Sequence, residues 1–152
     1  MVRGTRLMDP VTRQTPEISL KRVFLRAVVE LPEDDGRGSV VAEALRHLQQ
    51  GFDSHYASTF DDATDVEILE GDNSYALAVE TIARLEEPEF VAVASRMIRD
   101  GAGAVSAGED VTLELWTPHL ADLLGIISTE NPAASEERVR EAARKVGDER
   151  DA

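Results

Sequence analysis

VEILEGDNSYALAVETIARL, residues 66–85, is the stretch that decides the fold. A two-residue turn at Asp72–Asn73 would fold it into a β-hairpin, because both residue types tolerate left-handed backbone angles. The turn brings large apolar side chains opposite one another on one face of the hairpin. One pairing register places the apolar residues of both halves on the same face, so we predict two antiparallel strands here. The facing pairs are Ile68 with Leu77 and Val66 with Val79.

The second half of the same stretch also has helical spacing. Ser74 has the side chain of a helix N-cap, and the alanines that follow favour helix over strand. This alternative makes residues 74–87 helical and the fold mainly α. Its apolar stripe would contain Tyr75, Ala78, Val79, Ile82 and Leu85.

Residues 18–31 carry the same ambiguity. They alternate in side-chain character and are rich in β-branched residues, which favours a central strand. A helix competes, because residues 15–17, Thr-Pro-Glu, form a good helix start. The helical stripe would contain Leu20, Val23, Phe24, Ala27 and Leu31.

The remaining elements complete the predicted order. We expect a helix capped by Ser39 and running to about Phe52, and a second helix beginning at Pro88 and ending near Gly101 or Gly103. Alternation over residues 110–116 predicts a further strand, followed by a short apolar helix over residues 120–127. The order β-α-β-β-α-β resembles the ferredoxin-like α+β sandwich, with appended C-terminal helices.

The chain divides into three predicted parts. Residues 1–15 have no periodicity and are interpreted as a flexible arm. Residues 16–128 are one α+β domain. Residues 129–152 form a charged, partly helical tail that we expect to fray or extend into solvent.

Composition constrains the environment more than the function. Thirty acidic residues face sixteen basic ones, which gives a net charge of −14. Lys21 and Lys145 are the two lysines, and the other basic residues are arginines. Acid excess with so little lysine resembles the proteomes of salt-accumulating haloarchaea. The chain has no cysteine and no apolar run long enough to span a membrane, so we predict a cytoplasmic protein without disulfides.

One candidate binding surface depends on the predicted sheet. Arg22, Phe24 and Arg26 would share its open face, and an aromatic ring between arginines can stack an RNA base. The competing interpretation is that Phe24 is covered by the 120–127 helix or by a second subunit. The exposure of Phe24 distinguishes these interpretations.

A small-ligand sensor or an enzyme, with its site near Ser39 or near His119, is a further hypothesis. Arg37 and Ser39 stand at a predicted helix N-terminus, where backbone N–H groups attract anions. His119 follows Pro118 in what we expect to be a first helical turn. Neither position matches a catalytic or metal-binding motif, so the sequence predicts no catalytic residue, metal or cofactor.

The 120–127 helix is the strongest functional indication. A segment this apolar either packs on the open sheet face or mediates self-association. We therefore predict a small non-enzymatic interaction or assembly module, with a homo-oligomer or protein partner. The predicted interface residues are Leu120, Leu123, Leu124, Ile126 and Ile127.

Overall fold

The computed structural model describes residues 18–32, 34–60 and 65–151, and these residues form a bundle of six α-helices without a strand. The predicted ferredoxin-like α+β sandwich is therefore wrong, and the mainly α alternative fits. The helices are α1 Leu20–Val28, α2 Arg37–Phe60, α3 Asp65–Ala83, α4 Pro88–Ser106, α5 Leu113–Ile127 and α6 Pro132–Asp151.

The stretch predicted to be a hairpin forms α3, which continues through Asp72–Asn73 without a turn. Its buried positions are spaced three and four residues apart, as one face of a helix requires. Most of them are small, so α3 can pack closely against α2. Alternation was misleading because Tyr75, Leu77 and Val79 share a strand face but point in different directions from a helix. The buried positions are Gly71, Ser74, Ala78, Thr81 and Ile82.

The other two predicted strands are also helical. Residues 18–31 contain α1, whose first turn is capped by Ser19 Oγ accepting from Arg22 N at 3.2 Å. The apolar stripe of the helical alternative is the one that is buried there. In the second region Thr112 caps α5, so the helix begins at Leu113 rather than near Leu120. In both regions, burial of an apolar stripe with residues spaced three and four positions apart outweighed the β propensity of the individual residues.

The predicted start of the second helix is confirmed. Pro88 lies at the N-terminus of α4, where its missing N–H costs nothing. The helix continues past both glycines predicted to end it and stops at Ser106. Gly108 adopts a φ of 75°, and its N–H donates to Val105 O at 3.0 Å. Glu109 N donates to Ala104 O at 2.9 Å, which completes a Schellman ending.

An aromatic cluster forms where α2, α3, α4 and α5 meet. Phe52 lies 5.1 Å from the ring of Tyr75 and 5.0 Å from that of Trp116, measured between centroids. Two glycines make room for these rings. A Cβ at Gly51 would lie 2.5 Å from Tyr75 Cε1, and one at Gly101 would lie 2.4 Å from Phe52 Cε1. The glycines are packing positions inside helices, not turns.

The C-terminal segment is part of the bundle. The α6 helix packs against α1 and α5, and Val139 at its centre is fully buried. The segment predicted to fray or extend into solvent thus has a buried face in the structure. The arm predicted over residues 1–15 lies outside the described residues. The buried residues of α6 are Ser135, Val139, Ala142, Ala143 and Val146.

Candidate interaction surface

The proposed base-stacking residue is inaccessible. Phe24 is 0% exposed and belongs to the core of the bundle. Arg22 and Arg26, on the same helix, both contact the carboxylate of Glu149 in α6. The open sheet that the RNA hypothesis required is absent from residues 18–32, 34–60 and 65–151. The three residues therefore do not form a stacking platform.

The apolar segment of α5 is buried inside the same chain. Leu120, Leu123 and Leu124 are each 0% exposed, and Ile127 is 3% exposed. Ile126 is partly buried against the core. The segment thus satisfies its apolar surface within the bundle, and it leaves too little accessible surface to act as the predicted interface.

Arg37 is engaged in tying helix ends together. Its Nη1 donates to both carboxylate oxygens of Glu87, at 3.1 and 3.2 Å, and its Nε donates to Asp35 Oδ1 at 3.0 Å. Its Nη2 also donates to Ile127 O at 3.4 Å, at the end of α5. With these partners the Arg37 guanidinium stabilises the packing of the helix ends. An incoming anion would have to displace them.

The N-terminus of α2 is capped by an aspartate rather than by Ser39. Asp34 Oδ1 accepts from Gly36 N at 3.2 Å and from Gly38 N at 2.9 Å. Ser39 is exposed in the first turn of the helix. Because the Asp34 carboxylate already accepts from two backbone N–H groups here, this helix end is poorly suited to a second anion.

His119 pairs with an acid on the neighbouring helix. Its Nε2 lies 2.8 Å from Asp100 Oδ2, and this hydrogen bond holds the pKa of Asp100 below its usual value. The residue stands in the second turn of α5, since that helix begins at Leu113, and its exposed fraction is 9%. Its ring centroid lies 6.5 Å from that of Trp116. The pair links α4 to α5 beside the aromatic cluster.

The exposed apolar surface of α1 was missed by the sequence-based prediction. Leu25 and Val29 lie one turn apart and are 37% and 72% exposed. With part of α6 they line an open cleft of about 300 Å³. We call this cleft the α1–α6 face. It consists of Arg22, Leu25, Arg26, Val29, Val146 and Glu149.

A second cleft adjoins that face and shares Arg26 with it. It has a volume of about 330 Å³ and runs between α1 and α6, toward the loop that precedes α6. Ala27 and Ala142 are buried in it, and charged side chains surround them. We call it the alanine groove. Its charged residues are Arg26, Glu30, Glu130, Glu137, Arg138, Glu141 and Lys145.

Ion pairs connect the charged side chains that line the alanine groove. Glu30 lies 3.3 Å from Arg138 Nη1 and 3.6 Å from Lys145 Nζ. Arg138 also contacts Glu130, and this hydrogen bond lowers the pKa of the Glu130 carboxyl group. Positively and negatively charged side chains therefore surround the buried alanines of the groove. They also lie next to the exposed Leu25 and Val29.

One signal in the sequence indicated this surface. The helical alternative for residues 18–31 places five apolar residues on one stripe and leaves Leu25 and Val29 outside it. Two large apolar residues that lie four positions apart and outside the buried stripe indicate a second apolar surface on a helix. The groove had no such signal, since its residues are separated in sequence.

No helix among the described residues is long and apolar enough to cross a membrane. The same part of the chain contains no cluster of three or more His, Asp or Glu side chains arranged to hold a metal ion. No family model, curated protein or solved structure matches the chain.

Proposed function

We propose that this protein acts through protein–protein contact and associates with a second copy of itself through the α1–α6 face and the alanine groove. The observation that carries the proposal is the exposure of Leu25 and Val29 beside a groove floored by alanines. The exposed apolar pair and the buried alanines of the neighbouring groove match in apolar character. In a two-fold dimer each copy's pair can enter the other copy's groove.

Size and charge favour a second copy as the occupant. A stable dimer buries roughly 800 Å² on each partner, more than two side chains supply, so the face and the groove are both required. Their charged rim contains both signs, including Arg22, Glu149, Glu137 and Lys145. A mixed rim can pair with its own two-fold copy, whereas a rim of one sign would repel it.

Association should depend on salt in an unusual direction. Each copy carries a net charge of −14, so two copies repel at low ionic strength. Molar KCl shortens the screening length to about 3 Å and strengthens apolar burial. We expect the dimer fraction to increase with KCl concentration. Sedimentation equilibrium or light scattering after size-exclusion chromatography measures this fraction.

A pair of matched double variants tests the surface. Leu25→Glu with Val29→Glu should leave the protein monomeric in molar KCl, because it places carboxylates in the apolar centre of the contact. Val66→Glu with Leu69→Glu is the control, since these residues are 63% and 65% exposed on another helix. The control should still dimerise. A wild type that remains monomeric at every KCl concentration would overturn the proposal, as would equal dimer loss in both variants.

A further inference from the structure

Charge is unevenly distributed along the side of the bundle formed by α1 and α6. The α1–α6 face is lined by two arginines and one glutamate, which are Arg22, Arg26 and Glu149. Apart from the shared Arg26, the alanine groove is lined by four glutamates against one arginine and one lysine. A chain with a net charge of −14 therefore has a locally positive surface next to a locally negative one.

The two surfaces lie toward opposite ends of an antiparallel helix pair. Arg22, in the first turn of α1, has its Nη2 3.6 Å from Oε1 of Glu149 in the last turn of α6. Glu30, beyond the end of α1, has its Oε1 3.3 Å from Nη1 of Arg138 in the first half of α6. Glu137 precedes Arg138, and its Cα lies about 18 Å from that of Glu149 along the helix axis.

Each surface contains a charged side chain that its neighbours do not fully neutralise. Arg22 and Arg26 share the single carboxylate of Glu149, and the Arg22 side chain is 52% exposed. In the groove, Glu137 is exposed and makes no ion pair with any other residue that the structure describes. A surplus cation therefore lies at one end of the helix pair, and an unpaired carboxylate lies toward the other end.

The direction of a two-fold axis decides which ends would meet in a dimer. An axis in the contact plane and parallel to α1 and α6 would place each end against its own copy, so that like charges face each other. An axis in the same plane but perpendicular to the helices reverses them. The positive end of each copy then faces the negative end of the other, which is the arrangement that charge complementarity favours.

We propose that two copies associate with their α1–α6 pairs running in opposite directions, and that Arg22 of each copy forms an ion pair with Glu137 of the partner subunit. This inference rests on the proposed association and specifies its orientation. The ion pair occurs twice in the dimer, because a two-fold interface repeats every contact. Leu25 and Val29 supply the apolar contact, while the ion pairs select the orientation.

Two charge-reversal variants test this orientation. Arg22→Glu and Glu137→Arg each place like charges at both contacts of their own dimer, so each variant should self-associate about tenfold more weakly than the wild type. A heterodimer of the two variants has opposite charges at both contacts. An equal mixture should therefore contain more dimer than either variant alone at the same total concentration. Sedimentation equilibrium measures this at the KCl concentration where half of the wild type is dimeric.

A third variant controls for the change in net charge. Glu80→Arg makes the same charge change as Glu137→Arg, at an exposed position of α3 outside both surfaces. It should dimerise like the wild type, and the dimer content of its mixture with Arg22→Glu should lie between those of its two components. The Arg22→Glu substitution should not unfold α1, because a glutamate three residues after the Ser19 cap forms a capping box.

The outcomes separate the orientation from the association itself. The orientation is wrong if the wild type dimerises, the Leu25→Glu, Val29→Glu variant does not, and mixing Arg22→Glu with Glu137→Arg restores no dimer. The proposed association through this surface then still stands. A wild type that is monomeric at every KCl concentration would overturn both proposals.

Discussion

At the scale of single residues, Gly101 and Gly103 lie two positions apart on α4 but face different surroundings. A Cβ on Gly101 would lie 2.4 Å from Phe52 Cζ and 2.7 Å from Trp116 Cη2, whereas nothing lies within 4 Å of one on Gly103. Neither glycine requires a left-handed backbone in this helix. The first glycine is therefore needed for space, and the second is not.

This difference gives opposite expectations for the same substitution. Gly101→Ala should lower the free energy of unfolding by about 1–3 kcal/mol, because the rings of the aromatic cluster must shift. Gly103→Ala should raise it by roughly 0.5–1 kcal/mol, because alanine is the better helix former. Urea unfolding of both variants measures these changes. Equal stability of the two variants would contradict the close packing around Gly101.

At the scale of elements, α6 shows how a charged sequence can still form part of a core. The helix contains two larger apolar residues, Val139 and Val146, together with buried alanines on the same face. Ion pairs such as Arg140 with Glu136, at 3.1 Å, lie on its outer side. The many charges therefore cover one side of the helix, and the narrow apolar stripe is sufficient to pack on α1 and α5.

A substitution pair on α6 tests whether that packing contributes to stability. Val139→Ala should cost about 2 kcal/mol in the free energy of unfolding, because it removes buried methyl groups and leaves a cavity. Arg144→Ala, on the exposed side, should change stability by less than about 0.5 kcal/mol. Chemical denaturation followed by circular dichroism compares them. If Val139→Ala is as stable as Arg144→Ala, α6 is not part of the cooperative unit.

At the scale of the whole molecule, the net charge opposes the compact fold. A charge of −14 on one small bundle creates self-repulsion that the ion pairs only partly offset. Most of these pairs are partly exposed and individually weak. Screening by salt should therefore stabilise the folded chain in addition to promoting contact between copies.

Thermal unfolding in increasing KCl tests this expectation. The melting temperature should rise with KCl, because screening reduces repulsion more in the compact state than in the expanded unfolded chain. The Leu25→Glu, Val29→Glu variant separates the two effects of salt. Because we expect this variant to be monomeric, a rise in its melting temperature with KCl would come from screening rather than from dimerisation. A melting temperature of that variant that is flat or falling with KCl would show that self-repulsion is not a significant term.

Part of the fold could be predicted from local sequence. The helix beginning at Pro88 was correctly identified from its start signal and periodicity. The helix predicted over residues 39–52 was identified from its periodicity, although its cap is Asp34 rather than Ser39 and it extends to Phe60. The candidate surface could be predicted only in part. Leu25 and Val29 follow from the helical pattern of α1, but the groove beside them combines α1 with a helix more than a hundred residues later.

The sequence by itself determined the acid excess, the absence of cysteine and the helices whose start signals and periodicity agree. Tertiary structure alone decided residues 66–85, where strand and helix patterns both fit. There the close approach of α3 to α2 favours the helix, because the small residues Gly71, Ser74 and Ala78 are all buried on one face. Tertiary structure also buried the 120–127 segment and left Leu25 and Val29 exposed. Local sequence sets which faces are apolar, but only packing determines which apolar face remains free to bind a partner.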